Sequence, residues 1–502
     1  NIKNFDGETK LSIGLSKSKY CRGMQCRKML WMDKHMPEKA GELGLDAVME
    51  NGRAVGEIAR EYFGPYSAVE FADDKASMVE NTKRLMMDGT ENIAEASFIY
   101  DGLYCVVDIL HRNGDGFDIV EVKSSTSVKD IYIDDVAFQY YLLTQCGVNV
   151  KKVQLMYINN SYERHGDLEL DKLFILDDYT AQTIQRAAKV EKNIVEIRSY
   201  IETDAEPKCD IGLYCHDPYN CEYYSYCARH IPKDSIFDVA RLTNAKKYEY
   251  YRQGIISFED IIKSGIKLNE KQMQQVETAY YHRPASIKTK EIREFLNTLS
   301  YPLYYLDFET FQSAVPEYDG LKPYAQVPFQ YSLHIEMAPG RLEHREFLAN
   351  EGTDPRRAVA ERLCEDIPKD VCVLVFNASF EKGRLKELAT TFPDLAEHLL
   401  AIESNIHDLM IPFQKRYYYS EAMQGSYSIK SVLPALCPED PELDYNALDG
   451  IHNGGEASVA FADLPNHKPE EIADIRKNLL NYCCLDTLAM VKVLDKLRKY
   501  VK

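Results

Sequence analysis

The chain has no apolar run long enough to span a membrane, no signal-peptide pattern at its start, and no internal repeat or low-complexity tract. A membrane-spanning protein, a secreted protein and a repeat array are therefore not expected. Positive charge is scarce. Sixty Lys and Arg against 79 Asp and Glu leave a formal net charge of −19, the wrong sign for general attraction to phosphate. Acidic metal sites add to that figure and basic residues can still line a local groove, so the balance neither supports nor refutes a nucleic-acid enzyme. Thirteen cysteines without secretory context point to a reducing, cytoplasmic compartment, where clustered Cys more often bind metal than form disulfides. A composition of 45% hydrophobic and 28% charged residues describes a soluble globular protein. At 502 residues two or three domains are expected. The chain opens on Asn1 rather than Met, which points to a trimmed start.

Residues 11–63 read as helical, with Gly52 and Gly56 of "GRAVGEIAREYF" on one helical face. Apolar stretches at "ASFIYDGLYCVVDILHR", "GFDIVEVKSS" and "VKKVQLMYIN" then read as strands. "VAFQYYLLTQCG" is a helix between the last two, with Gly147 as its C-cap. Beyond a Cys-rich segment at 209–227, residues 233–298 are mostly helical and charged, as in a connector. "YPLYYLDFET" opens a second α/β unit with strands at "FQYSLHIEM", "HREFLAN" and "VCVLVFN". A long helix running to "LDKLRKYV" closes the chain.

Two sets of carboxylates carry the chemistry. In the first, Asp108 ends one strand and Glu121-x-Lys123 lies on the next. Residues i and i+2 of a strand share a face, so Glu121 and Lys123 point into one pocket that Asp108 can approach. Asp108, Glu121 and the Val122 carbonyl are hard oxygen ligands suited to Mg²⁺ or Mn²⁺. Lys123 would orient or help deprotonate water and offset charge on a phosphate. Gln139 and Glu57 are expected as supporting residues. A solvated strand face is the plain alternative.

This strand pattern, with "LSKSKYCRGMQCRKMLWM", "GRAVGEIA", "VVDIL", "IVEVKSS", "AFQYYLL" and the trailing cysteines, resembles the RecB-type PD-(D/E)XK nucleases that include CRISPR-associated exonucleases. The resemblance implies a [4Fe-4S] cluster on an N-terminal Cys and three Cys beyond the nuclease core, here Cys26, Cys215, Cys221 and Cys227, in a structural or redox role. A zinc knuckle on Cys209, Cys215, Cys221 and Cys227, one at every sixth residue, is the alternative. Cys21 and Cys209 are otherwise bystanders. Cys105, Cys146, Cys364, Cys372, Cys437, Cys483 and Cys484 read as buried packing residues.

In the second set, Asp307-x-Glu309 ends an apolar strand. Tyr482 precedes Asp486 by four residues, one helical turn on the same face. Tyr-x-x-x-Asp resembles the third motif of DEDDy exonucleases, which have an RNase H-like fold. Their middle motif reads Asn-x-x-(Phe/Tyr)-Asp; here Asn377, Phe380 and Glu381 stand in it, Glu replacing Asp, with Asp408 in reserve. By that resemblance Asp307, Glu309, Glu381 and Asp486 hold two divalent ions and Tyr482 positions water. "LDFETFQSAVPEYDGLKPYAQVPFQYSLH", "FNASFEKGRLKELA", "GSYSIKSVLPAL" and "YCCLDTLAMVKV" also resemble a bacterial domain of uncharacterised function fused behind RecB-type nucleases. "KRYYYSEAM" could stack single-stranded nucleic acid or pack against a neighbouring domain.

The expectation is an α/β chain in three parts. A PD-(D/E)XK, restriction-endonuclease-like domain with a four-Cys cluster covers 1–232, a helical connector 233–298, and an RNase H-like DEDDy domain 299–502. The implied function is metal-dependent hydrolysis of DNA from ends or single strands, in repair or defence against foreign DNA. An RNA exonuclease, and a nucleic-acid-binding effector or scaffold with one or both sites silent, are the alternatives. The implied partner is nucleic acid, with no membrane; protein partners are left open.

Overall fold

The computed structural model describes residues 14–41, 46–438, 440, 443 and 448–502, with the backbone alone at 46–50. Part of the helical stretch expected over 11–63, namely 11–13 and 42–45, lies outside the described residues. The protein is mixed α/β and divides into two compact units. One comprises 1–230 with 313–324, the other 231–312 with 325–502. Among the described residues no helix is long and apolar enough to cross a membrane.

The first unit holds β1 (Leu15–Ser16), β2 (Ser67–Ala68), β3 (Asn92–Tyr100), β4 (Leu103–Asn113), β5 (Gly116–Lys123), β6 (Val150–Ile158) and β7 (Phe174–Asp178). Their order is β2-β3-β4-β5-β6-β7, with β1 paired to β4. β3, β4 and β5 form an antiparallel meander, and β6 runs parallel to β5. The β3–β4 turn is Asp101–Gly102, both at positive φ, the two-residue hairpin that matches strand twist. Helices α1 (Lys17–Gln25), α2 (Arg27–His35), α3 (Asp46–Ala59) and α4 (Lys75–Met87) precede the meander. Helix α5 (Asp130–Gln145) makes the crossover from β5 to β6, and Gly147 just beyond it takes φ +79°.

In the second unit β8 (Ser286–Ile287) pairs with β14 (Tyr418–Tyr419) in a separate two-stranded sheet. The main sheet holds β9 (Leu303–Phe311), β10 (Val327–Ala338), β11 (Arg341–Leu348), β12 (Cys372–Val375) and β13 (Ile406–Asp408). Its order is β11-β10-β9-β12-β13. The first three are antiparallel, while β12 runs parallel to both β9 and β13. A bulge at Phe329 shifts the register between Thr310↔Pro328 and Glu309↔Gln330, next to the carboxylate pair of β9. The closing helix, Pro469–Tyr500, buries Leu479, Cys483, Met490, Val493 and Leu497 at helical spacing.

Two boundaries differ from the sequence expectation. The segment 233–298 is not a separate connector but part of the second unit. Its Phe258, Ile261 and Val276 form a buried cluster, and Ile292 and Phe295 pack with Leu303 and Tyr305. Residues 313–324 leave the second unit's sequence to join the first. There Ala314 and Val315 pack with Val55, Ile109 and Met156, and the Arg164 guanidinium donates to the carbonyls of Pro316 and Glu317.

Candidate functional site

The meander of the first unit brings Asp108 (β4) beside Glu121 (β5). The Val122 amide donates to Asp108 Oδ2 at 2.7 Å, fixing that carboxylate against the neighbouring strand. Glu121 is 2% exposed and fully engaged. Its Oε1 accepts from Lys123 Nζ at 2.7 Å and from Lys17 Nζ at 2.8 Å, and its Oε2 from Gln139 Nε2 at 2.7 Å. Asp135, one turn before Gln139 on α5, accepts from Lys123 at 2.7 Å and from Gln139 at 3.0 Å. The site is therefore two ammonium groups facing three carboxylates. Burial, then the charges of Asp108 and Asp135, push Glu121 up to about 7. Burial works against the Lys123 ammonium, but Asp135 and Glu121 outweigh it and hold its pKa above the usual value.

Lys17 and Asp135 were not singled out from sequence. Lys17 follows the Ser16 cap of α1, 104 residues from Glu121, and no local pattern announces that pairing. Asp135 was legible in principle, standing one turn before Gln139 on the crossover helix. Glu57 is a correction. Val55 and Ala59 share the buried face of α3, and Glu57, two residues from each, points away from it. It is exposed and makes no hydrogen bond or ion pair among the described residues.

In the second unit Asp307 and Glu309 share a face of β9. Glu381 stands in the first turn of the helix Ala378–Thr391, and Asp486 and Tyr482 on the closing helix. Asp307, Glu309 and Cys483 bring ligand atoms within 4.8 Å of one another. Burial, then Asp486, Glu309 and Glu381, hold the Asp307 carboxyl well above its ordinary pKa. Burial and Asp486 push Glu309 up to about 8, and burial with Asp408 does the same for Glu381. Glu381 is 2% exposed and its Oε2 has no hydrogen-bond partner. Burial and the same carboxylates also raise the Tyr482 phenol. A buried group of mutually repelling carboxylates with an orphaned oxygen fits a divalent cation.

Asp408 is not a spare ligand. Its oxygens accept the amides of Asn377 (3.0 Å), Ala378 (3.0 Å) and Met410 (2.9 Å), which caps the helix carrying Glu381. Lys430 lies 5.9 Å from the Tyr482 ring centroid and draws Glu309 down. Cys483, expected as packing, is buried and bonded to the Asp307 carbonyl at 3.8 Å. Tyr418 and Tyr419 are buried in the core and paired with β8, so they offer no face for base stacking.

Cys26, Cys215, Cys221 and Cys227 line one small cavity, and Cys209 lines it with them. Cys209 is thus not a bystander. A hydrogen bond from Cys26, with Tyr214 and Lys28 assisting, draws the Cys209 thiol down to about 6. Cys26 occupies the N-cap of α2, which brings it to the 209–227 segment. Five thiols around one cavity fit either an iron–sulfur cluster or zinc. Cys21 instead packs against the core that holds Cys105 and Cys146.

Residues 304–428 match a family described as a domain of unknown function, DUF2779. The match contains Asp307, Glu309, Glu381 and Asp408 and stops short of Tyr482. Over 160 residues the chain is 29% identical to an uncharacterised protein of Ureaplasma parvum, covering 29% of this chain and 23% of that protein. Over 225 residues it is 27% identical to an uncharacterised protein of Mycoplasma genitalium, covering 41% and 33%. A homologue of the latter in Mycoplasma pneumoniae is 30% identical over 205 residues, covering 38% and 31%. The chain spans a third or less of the length of these curated relatives.

Proposed function

We propose that the chain is a divalent-metal-dependent nuclease with two separate hydrolytic centres acting on DNA. The first unit would carry a PD-(D/E)XK centre and an iron–sulfur site on the cysteines. The second would carry a DEDDy centre on an RNase H-like scaffold. The observation that carries the reading is the convergence of Asp307, Glu309, Glu381 and Asp486 from three elements far apart in sequence, with Asp307, Glu309 and Glu381 each held above its ordinary pKa by burial and neighbouring carboxylates. The strand patterns support it. A meander with a helical crossover to a parallel strand suits the first scaffold, and three antiparallel strands extended by two parallel ones suit the second.

Mg²⁺ or Mn²⁺ at these carboxylates supplies the charge that stabilises attacking and leaving oxygens of an in-line displacement. Asp307, Glu309, Glu381 and Asp486 would hold it in the second centre, and Asp108, Glu121 and the Val122 carbonyl in the first. Tyr482, kept protonated by burial and its acidic neighbours, orients water through its hydroxyl. Lys123, kept protonated by Asp135 and Glu121, offsets charge on the phosphate rather than removing a proton. Gln139 holds Glu121 and Asp135 in register.

The test is cleavage of end-labelled DNA and RNA of one sequence, with Mg²⁺ or Mn²⁺, by anaerobically purified protein. Lys123→Ala and Asp307→Ala are each expected to abolish one set of DNA products, and the double variant all of them. Cleavage of RNA alone would reverse the substrate assignment. Failure of fully metallated protein to cut either polymer would remove the nuclease reading. Iron and labile sulfide are expected in the purified protein and lost in Cys221→Ala; zinc in their place would make the site a knuckle.

A further inference from the structure

We infer that the second unit holds an additional site for a zinc-class ion, built by His334, His344 and Cys484 outside the carboxylate centre. His334 and His344 are direct cross-strand partners on β10 and β11, their ring centroids 4.5 Å apart. Cys484, on the closing helix, completes a trio whose ligand atoms all lie within 4.8 Å of one another. Two imidazoles and a thiol are borderline-to-soft donors, suited to zinc rather than to Mg²⁺. A tetrahedral zinc site sets such atoms roughly 3–4 Å apart, so closure asks for a shift of at most about 1 Å.

The hydroxyls around the rings decide which nitrogens are available. Thr487 Oγ1 donates to the Cys484 carbonyl at 3.1 Å, one turn back along the helix. Its proton is therefore spent, so Ser332 donates to Thr487 across their 2.7 Å contact. His334 Nδ1 must then donate to Thr487 (2.7 Å) and His344 Nε2 to Ser332 (2.9 Å). Both imidazoles are left with a lone pair on the other nitrogen, His334 Nε2 and His344 Nδ1. Orientation of a ligating ring by a bond to its second nitrogen is the usual outer-shell arrangement of a metal site. Three protein donors leave the fourth tetrahedral position to solvent. The ion would tie the β10–β11 hairpin to the closing helix two residues from both Tyr482 and Asp486.

This inference does not rest on the nuclease reading, and its readout is metal content. The full chain, its His344→Ala variant and its Cys484→Ser variant are equilibrated with Zn²⁺, dialysed and analysed for zinc per chain. Each variant is expected to retain one zinc fewer than the parent, whatever the other sites hold. Zn²⁺ should also raise the parent's melting temperature more than that of His344→Ala, whose side chain is on an exposed strand face and which should fold. Equal zinc in all three proteins would overturn the site.

Discussion

At Glu121 two ammonium groups share one carboxylate. Lys17 and Lys123 approach the same oxygen at 2.8 and 2.7 Å, and their charges offset the burial that lifts Glu121 to about 7. Removing Lys17 should lift it further, leaving less of the ionised form at neutral pH. With Lys17→Ala in an Asp307→Ala background, first-centre activity at pH 7 is expected to fall by about tenfold for each unit of added shift. It should recover as pH rises towards 9. A pH–rate profile displaced upward supports this role; a uniform loss at every pH would make Lys17 a packing residue instead. Glu381 is the complementary case, a longer carboxylate than the motif asks for, buried with one oxygen unpartnered. Burial accounts for its raised pKa, and Asp408 adds to it while remaining committed elsewhere.

The helix Ala378–Thr391 begins at Asn377, in a left-handed conformation at φ 86°. Its first amides are free of intrahelical partners, as at every helix start, and Asp408 at the end of β13 accepts two of them. Asp408→Ala should therefore lower the stability of the second unit by about 1–2 kcal/mol. It should also weaken the second centre by loosening the turn that carries Glu381. Asp408→Asn keeps one acceptor oxygen but sets its amide nitrogen against a second backbone donor, so it should lose part of both and less than Asp408→Ala. Thermal melts with parallel activity assays check this; full second-centre activity in Asp408→Ala would mean that the cap does not position Glu381. The closing helix is fastened similarly, with Gln330 Nε2 donating to the Leu479 carbonyl at 2.8 Å from beside the β-bulge.

Glu121, Glu309 and Glu381, all buried, have folded-state pKa values raised to about 7 or 8. In an unfolded chain a Glu titrates near about 4.3, so the folded state binds these protons more tightly. Their contribution to stability is present in full below about 4.3 and is lost as pH rises through the range of about 7–8. In chelator, the melting temperature should fall between pH 5 and pH 9. Mg²⁺ should restore it, more at the alkaline end, because the ion binds the ionised forms. Glu309→Gln should flatten part of the slope. A melting temperature indifferent to both pH and Mg²⁺ would show that these carboxyls do not form a cation site.

The sequence by itself determined what local periodicity determines. Two residues along a strand share a face, so Glu121 with Lys123 and Asp307 with Glu309 could be paired on the page. Four along a helix share a face, so Tyr482 with Asp486 could be paired as well. Tertiary structure alone decided which distant groups meet them. Lys17 reaches Glu121 across 104 residues, and Glu57 turns away because packing of Val55 and Ala59 fixed the phase of α3. Asp408 became a cap, Cys209 joined the thiol cavity, and His334, His344 and Cys484 came together from two strands and a helix. The reason is physical. Backbone geometry repeats every two or 3.6 residues and is written locally, whereas proximity across a hundred residues depends on sheet order, register and helix phase, which no short stretch of sequence encodes.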